Sequence, residues 1–468
     1  MEKVMQDLVT KHNFISERIY QLYVFVFIAL LFIVNNVINQ FINGDLFTLL
    51  AWSLFLLLIY VKDIKFLLKY SYILFMQCSN ILGIYICENS TLWLTELNRY
   101  SEPFGSLLLA TVSHWVFFCA LWYFETYFKD IGFVSKTNKK IYNDNLLTVI
   151  GIVLLIVSVI AFLHVLSNPA FKLGLDRFRY AETFLHGVWK LPDKLLGLSI
   201  PLIGILYIFN FKKTAISILA FYSAYLFFIG NKFGGFLNLF FLSVPTVYAL
   251  NKTDKVLRKT FVLGVLVSSF MVGIVFFHNY LTYGHGLGKN FIYLEQRFAQ
   301  QGQLWWAQYG KEKHNGFKIN ELNDETKTYF DLKKQDREEW NHGIYKVMRN
   351  ITPQDIYDKK IAAGSRYASA TLASLYYYFK EFGLIVGNVI LAFIFWLVTT
   401  WYYTDYISGD VIGTVISCKY FIWMHMVATQ ADFDIIFSFK ALLGVIVYVC
   451  YRFVISSLKN KKGKFEIA

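Results

Sequence analysis

The chain predicts an all-α integral membrane protein with about twelve transmembrane helices, both termini cytoplasmic and one long helical periplasmic loop. Composition is the first reason. Hydrophobic residues make up 56% of the 468 and charged residues only 16%, whereas soluble domains carry about 45–50% and about 25%. Spacing is the second: apolar runs of about 16–22 residues recur from end to end, the length at which a helix crosses a bilayer. Charge is the third. Lysine and arginine crowd into alternate short loops, such as Lys62 and Lys65, Lys139 and Lys140, and Lys212 and Lys213, and short basic loops stay inside. These observations exclude a soluble enzyme, a disordered chain and, despite the net charge of +13, a nucleic-acid binder. An outer-membrane barrel is excluded too, because its segments would be short and alternating.

In chain order the expected spans are Ile19–Ile38, Leu46–Val61, Leu67–Cys87, Gly105–Phe128, Leu146–Leu166, Leu195–Phe209, Thr214–Phe228, Phe233–Leu250, Phe261–Tyr280, Phe382–Tyr402, Val411–Ala428 and Ile435–Tyr451. Polar residues precede the first run and no small-residue cleavage site follows it, so it is expected to stay as an anchor. Nine spans fill residues 1–280, with a medium periplasmic loop at 167–194. A large periplasmic loop fills 281–380, and three spans with a basic cytoplasmic tail fill 381–468. The large loop carries Trp305, Trp306 and Trp340 among many Tyr and Phe, enough to build a small core. Within it, Thr352-Pro353 with Asp355 reads as an N-cap, a first-turn proline and an early carboxylate. Arg366 to Lys380 reads as a helix that runs into the next span. Cys78, Cys87, Cys119, Cys418 and Cys450 sit in or beside apolar runs and form no CxxC, so they read as small packing residues.

The candidate site residues lie in the outer loops, where charge defies the topological bias. In the medium loop, Arg177 and Arg179 stand beside Asp176, Tyr180, Glu182 and His186. Arginine presents a planar fork that fits phosphate oxygens; the two either hold a pyrophosphate or pair with Asp176 and Glu182. Lys232, among the glycines of IGNKFGGF, is either a phosphate contact or a snorkelling anchor. In the large loop, a helix from Tyr293 puts Arg297, Gln301 and Trp305 at i, i+4 and i+8, flanked by Gln300, Gln303 and Trp306. Amides pair with sugar hydroxyls and flat aromatics cover a sugar ring; the alternative is an interfacial helix with belt tryptophans. Gly302 weakens the helix. Candidate bases are Glu295, His285, His186, Asp176 and His278. Asp432 and Asp434 form a DxD between the last two spans, which either binds a metal or pairs with Lys440. Lys419 and His425 fall inside the eleventh span, as functional groups or bundle-facing pairs.

At this point the chain resembles the O-antigen polymerase (Wzy) family of GT-C-like membrane glycosyltransferases. The resemblance rests on the span count, a medium outer loop with paired arginines, a much longer second outer loop, and the stretches RFAQQGQLWW and GSRYASATLASLYYYFKEFG. GNKFGG stands where many such enzymes carry a glycine or serine followed by arginine; here the cation is Lys232. The resemblance implies an inner-membrane enzyme whose active site faces the periplasm. It would transfer a growing glycan from undecaprenyl diphosphate to a sugar hydroxyl of an acceptor repeat unit. The implied partners are undecaprenyl-diphosphate-linked oligosaccharides, membrane lipids and a chain-length regulator, and no cofactor is implied. Arg177, Arg179, Lys232 and Arg297 would hold diphosphates; Gln300, Gln301, Gln303, Trp305, Trp306 and Tyr180 would meet substrate. Glu295 is the first candidate base, His285 the second, and Arg366 a further cation. The alternatives are a lipid-linked oligosaccharide flippase, which usually has shorter loops and repeated halves, and an O-antigen ligase, for which His285, His314 and His342 remain open as a catalytic histidine.

Overall fold

The computed structural model describes residues 2–38, 44–128, 144–175, 177–231, 234–250, 253–284, 286–329 and 343–465. It begins with α1 (Glu2–Ile38), α2 (Gly44–Lys62), the short α3 (Ile64–Lys69) and α4 (Ser71–Asn89). An antiparallel hairpin, β1 (Trp93–Leu94) and β2 (Arg99–Tyr100), leads into α5 (Leu107–Tyr127). Next come α6 (Asp144–Leu166), α7 (Ala170–Leu173), α8 (Arg177–Phe184), α9 (Lys190–Ile208), α10 (Lys212–Phe228), α11 (Gly234–Leu250) and α12 (Asp254–Tyr283). The segment that follows contains α13 (Leu287–Glu312), α14 (Ile319–Tyr329), α15 (Gly343–Ile351) and α16 (Gln354–Ala362). It is succeeded by α17 (Thr371–Ser408), α18 (Val411–Gln430), α19 (Phe433–Phe437) and α20 (Phe439–Phe465).

The described parts of the twelve expected apolar segments lie mainly on helices, the last of them divided between α19 and α20 at Ser438. Among the described residues, six helices are long and apolar enough to cross a membrane. The bent pair Gly187–Gly197 and Ser199–Ile208 makes a seventh if it is one span. Outward-facing Leu57, Ile156, Leu266 and Ile390 are more than half exposed, as apolar side chains are when lipid is the solvent. The expected span Leu67–Cys87 is not one helix. It breaks at Tyr70, because Lys69 turns inward to Glu125 (2.6 Å) and the Tyr70 hydroxyl donates to the same carboxylate at 3.0 Å. The rest of that span, α4, buries Gln77, Asn80 and Glu88, which lowers its hydropathy.

The reason for that polarity is a second, smaller core at one end of the bundle. Leu94 and Leu97 pack there with Leu304, Trp306, Val347 and Met348 of the segment expected as the large loop. We call it the cap. Its main strut is α13, which lies against α4 at a glycine–glycine crossing. A Cβ on Gly302 would stand 2.1 Å from the Ile84 amide nitrogen, and one on Gly83 would stand 2.2 Å from the Phe298 carbonyl oxygen. Gly302 therefore does not end the helix, as its propensity suggests; it lets two backbones touch. Asn80 donates to the Gln301 carbonyl at 2.5 Å and meets His114 at 2.9 Å.

The helix expected over Arg366 to Lys380 starts at Thr371 and kinks at Lys380, whose φ is 53°. Lys380 is buried there and donates to the Glu312 carbonyl (3.0 Å), tying the kink to the end of α13. At α16 the expected capping is displaced by one residue. Pro353 occupies the N-cap, while the Thr352 hydroxyl donates to the Tyr367 hydroxyl at 3.2 Å.

Candidate functional site

A groove of about 390 Å³ opens on the cap between α13, the β1–β2 turn and α16. Its wall on α13 carries Tyr293, Gln296, Arg297 and Gln300, and its opposite wall carries Glu96 and Lys360. The α13 residues share a face because they recur at three- and four-residue spacing. Arg297 Nε donates to the Tyr293 hydroxyl at 2.9 Å and Nη1 donates to Gln300 Oε1 at 3.1 Å. The guanidinium is thus pre-positioned with its charge unspent, and Gln300 keeps its amide N–H₂ as a donor. Across the groove, Lys360 Nζ donates to Glu96 Oε1 at 2.5 Å, and Gln303 Nε2 donates to Oε2. Tyr367 donates to the Glu96 carbonyl at 2.5 Å, which fixes the turn. One cation, several amides and an engaged carboxylate around a cleft can hold a hydroxyl-rich ligand. Just before the groove, α13 exposes Leu287, Phe291 and Ile292, an apolar edge suited to a membrane surface.

The structure brings Arg297 and Gln300 together here and places other expected residues elsewhere. Trp305 and Trp306 are 0% exposed. Their indole nitrogens donate to the Ser106 and Glu102 carbonyls at 3.1 and 2.8 Å, so they are struts of the cap and not ring platforms for sugar. The reason is position: Trp305 turns toward Ser106 and Tyr376 on α17, and Trp306 turns toward Arg99 and Phe104. Gln303 is buried beside Glu96, and Gln301 offers its backbone carbonyl to α4. Glu295 is half-buried and does not line the groove. His285 and Lys232 lie outside the described residues, as do Asp176 and His342.

A second cluster forms where α8 meets the turn after α10. Arg177 Nη1 donates to Asn231 Oδ1 at 3.4 Å, and the same oxygen accepts from the Gly235 amide at 3.1 Å. Gly230 makes that turn with φ +79°, and a Cβ there would stand 3.2 Å from the Ala170 methyl. Arg177 and Arg179 are exposed. Tyr180 is not a ligand contact: it is 1% exposed and stacks on Phe184, and burial raises the pKa of its hydroxyl.

Arg366 is engaged as well. Its Nη1 lies 2.7 Å from both oxygens of buried Asp432. That carboxylate is pushed up to about 6 by burial, with Arg366 pulling the other way. Arg366 is the partner of Asp432, which is thus already held by a guanidinium. Lys419 is exposed over the Trp423 ring, 5.2 Å from its centroid, rather than paired inside the bundle. His425 is buried against Tyr72 and Phe421, with Nδ1 3.1 Å from the Phe421 carbonyl. Glu96 and Lys360 are what sequence reasoning missed. The excess of charge in a short outer turn, with Glu96 and Arg99 three residues apart, was the available signal.

A family model described as a family of unknown function (DUF6418) matches residues 337–455, a stretch that includes Arg366, Asp432, α17 and α18. No curated protein and no solved structure matches the chain.

Proposed function

We propose that this chain polymerises lipid-linked oligosaccharide repeat units at the outer face of a bacterial inner membrane. In this reading all twelve apolar segments cross the membrane, both termini are cytoplasmic and the cap faces the periplasm. The growing glycan leaves undecaprenyl diphosphate: an acceptor sugar hydroxyl attacks the anomeric carbon, the bond to diphosphate breaks, and the hydroxyl proton passes to a base. The observation that carries the reading is the groove at Arg297, where a cation, the Gln296 and Gln300 amides and the Glu96–Lys360 pair surround one cleft beside an apolar edge. Arg297 stabilises the charge of the departing diphosphate. Glu96, being in the groove, is a better placed base than Glu295. Arg177, at the turn after α10, supplies a further cation for the lipid-linked diphosphates.

The test is a lipopolysaccharide gel of wild type, deletion, and deletion rescued with Arg297→Ala at matched protein level. The expected result is a ladder collapsed to core plus one repeat unit in both the deletion and the variant. An unchanged ladder in the deletion overturns the polymerase. Loss of even the single capped unit points to a flippase or ligase.

A further inference from the structure

A second cavity, of about 340 Å³, lies further along α13 and is lined by Arg99, Phe104, Gly310, Lys311, Asn350 and Ile351. Its two cations differ from five others of the cap. Lys318, Lys346, Lys360, Arg366 and Lys380 each pair with a carboxylate. Among the described residues, neither Arg99 nor Lys311 has a carboxylate within ion-pairing distance. The Arg99 guanidinium instead lies over aromatic faces, 4.6 Å from the Trp306 centroid and 5.8 Å from that of Phe104. Its Nε is buried with no hydrogen-bond partner. Lys311 gives one hydrogen bond to the Asn350 carbonyl, which leaves two of its three donors. Burial lowers the pKa of Arg99 from its ordinary value, with Glu102 and Cys87 opposing.

The surroundings hold this cation in place. Trp306 is pinned by its indole hydrogen bond and stacks on Phe104 with centroids 4.8 Å apart. Gly310 lets Phe104 come that close, since a Cβ there would stand 2.4 Å from the ring. Phe104 is half-buried and gives the cavity one apolar wall. A planar fork, an ammonium and a ring face in one cleft suit a sugar ring that bears an oxyanion. Tyr293 and Gln300 of the groove, and Ala307 and Lys311 of the cavity, fall on one stripe of α13 at seven- and four-residue steps. The two sites are about 20 Å apart along the axis.

We propose that this cavity binds a sugar carrying a carboxylate or phosphate ester, with Arg99 and Lys311 on the oxyanion and Phe104 against the ring. The identification of a sugar rests on the glycan-handling function proposed above, and it makes the polysaccharide an acidic one. The test is an NMR titration of the detergent-solubilised full chain with glucuronic acid, glucose 6-phosphate, glucose and inorganic phosphate. One of the two acidic sugars should bind at least about tenfold tighter than glucose and than phosphate, and the tighter one names the oxyanion. Lys311→Gln, at an exposed position, and Arg99→Lys, which keeps the charge but loses the fork, should each weaken binding about tenfold. Arg297→Ala should leave it unchanged. Glucose or free phosphate matching the acidic sugars, or binding that survives both cavity variants, overturns the proposal. Because no polymerisation is read, these outcomes stand apart from those of the gel.

Discussion

Glu312 shows how a single carboxylate holds the cap. It is 1% exposed and ends α13. Lys318 donates to it at 2.8 Å, Asn315 at 2.9 Å and Asn350 at 3.1 Å, and the buried Lys380 ammonium is 3.3 Å away. Burial alone raises its pKa, but those hydrogen bonds and the Lys318 charge prevail and hold it down at about 2. A carboxyl held below its unfolded value of about 4.3 contributes stability above that value and loses it as pH falls toward 2. Glu312→Gln should therefore flatten the decline in melting temperature between about pH 4.5 and pH 2. Glu312→Ala, which leaves Lys380 and Lys318 without their partner, should cost on the order of 3 kcal/mol at neutral pH. An Ala variant that melts with wild type would remove Glu312 from this role. In the groove, Glu96→Gln should lower polymerisation by about 10²–10⁴ if it is the base, and Glu295→Gln should have far less effect. The reverse order would return the base to Glu295. The helix around Arg297 was legible from spacing, but the face drawn there joined Arg297 to Gln301 and Trp305, whereas its bonded neighbours are Tyr293 and Gln300. Glu96 and Lys360 were not legible, because 264 residues separate them and only packing brings them together.

On the scale of elements, the contact between α4 and α13 decides where the cap sits. Gly83 and Gly302 let the backbones meet, and Asn80 and His114 add hydrogen bonds at the same level. Gly302→Val should push α13 off α4, cost about 1–3 kcal/mol or more through overpacking, and lower the melting temperature. Gly288→Ala, on the same helix with open space at its Cβ position, should change little. Equal melting of the two variants would show that the crossing is not tight. This contact also explains what the sequence concealed. Amphipathicity from Tyr293 onward predicts a helix, and α13 is one, but the pattern does not say which face is buried. Two adjacent tryptophans suit a membrane belt and a core equally well. Only packing against distant elements, Tyr376 on α17 for Trp305 and Phe104 for Trp306, makes them core. Of the buried polar residues of α4, Asn80 bonds α13 here and Glu88 accepts from the amides of Phe104, Gly105 and Ser106; hydropathy alone reads them as defects in a span.

Across the whole molecule, the helices were legible because apolar length is a strong signal, while sidedness rests on loop charge alone. The direction of the chain makes that signal testable. Lys359 on α16 belongs to the cap and is 80% exposed at its side chain. Lys213 opens α10, in a loop assigned to the inside, and is exposed as well. Among the described cysteines, Cys450 is the exposed one, so a Cys450→Ser background removes the main competing thiol. In that background, Lys359→Cys should react with a membrane-impermeant maleimide in intact spheroplasts, and Lys213→Cys only after permeabilisation. Each ammonium is replaced by a small thiol at an exposed site, so both variants should fold. The opposite pattern would invert the protein, put the groove on the cytoplasmic side and rule out a periplasmic polymerase. Labelling of both sites in intact spheroplasts would mean an odd number of crossings fewer or more between α10 and α16. One of the segments from α10 to α12 would then fail to span as assigned, and α10 and α11, each at 17 residues close to the lower limit for a span of about 17–25, would be the first to suspect.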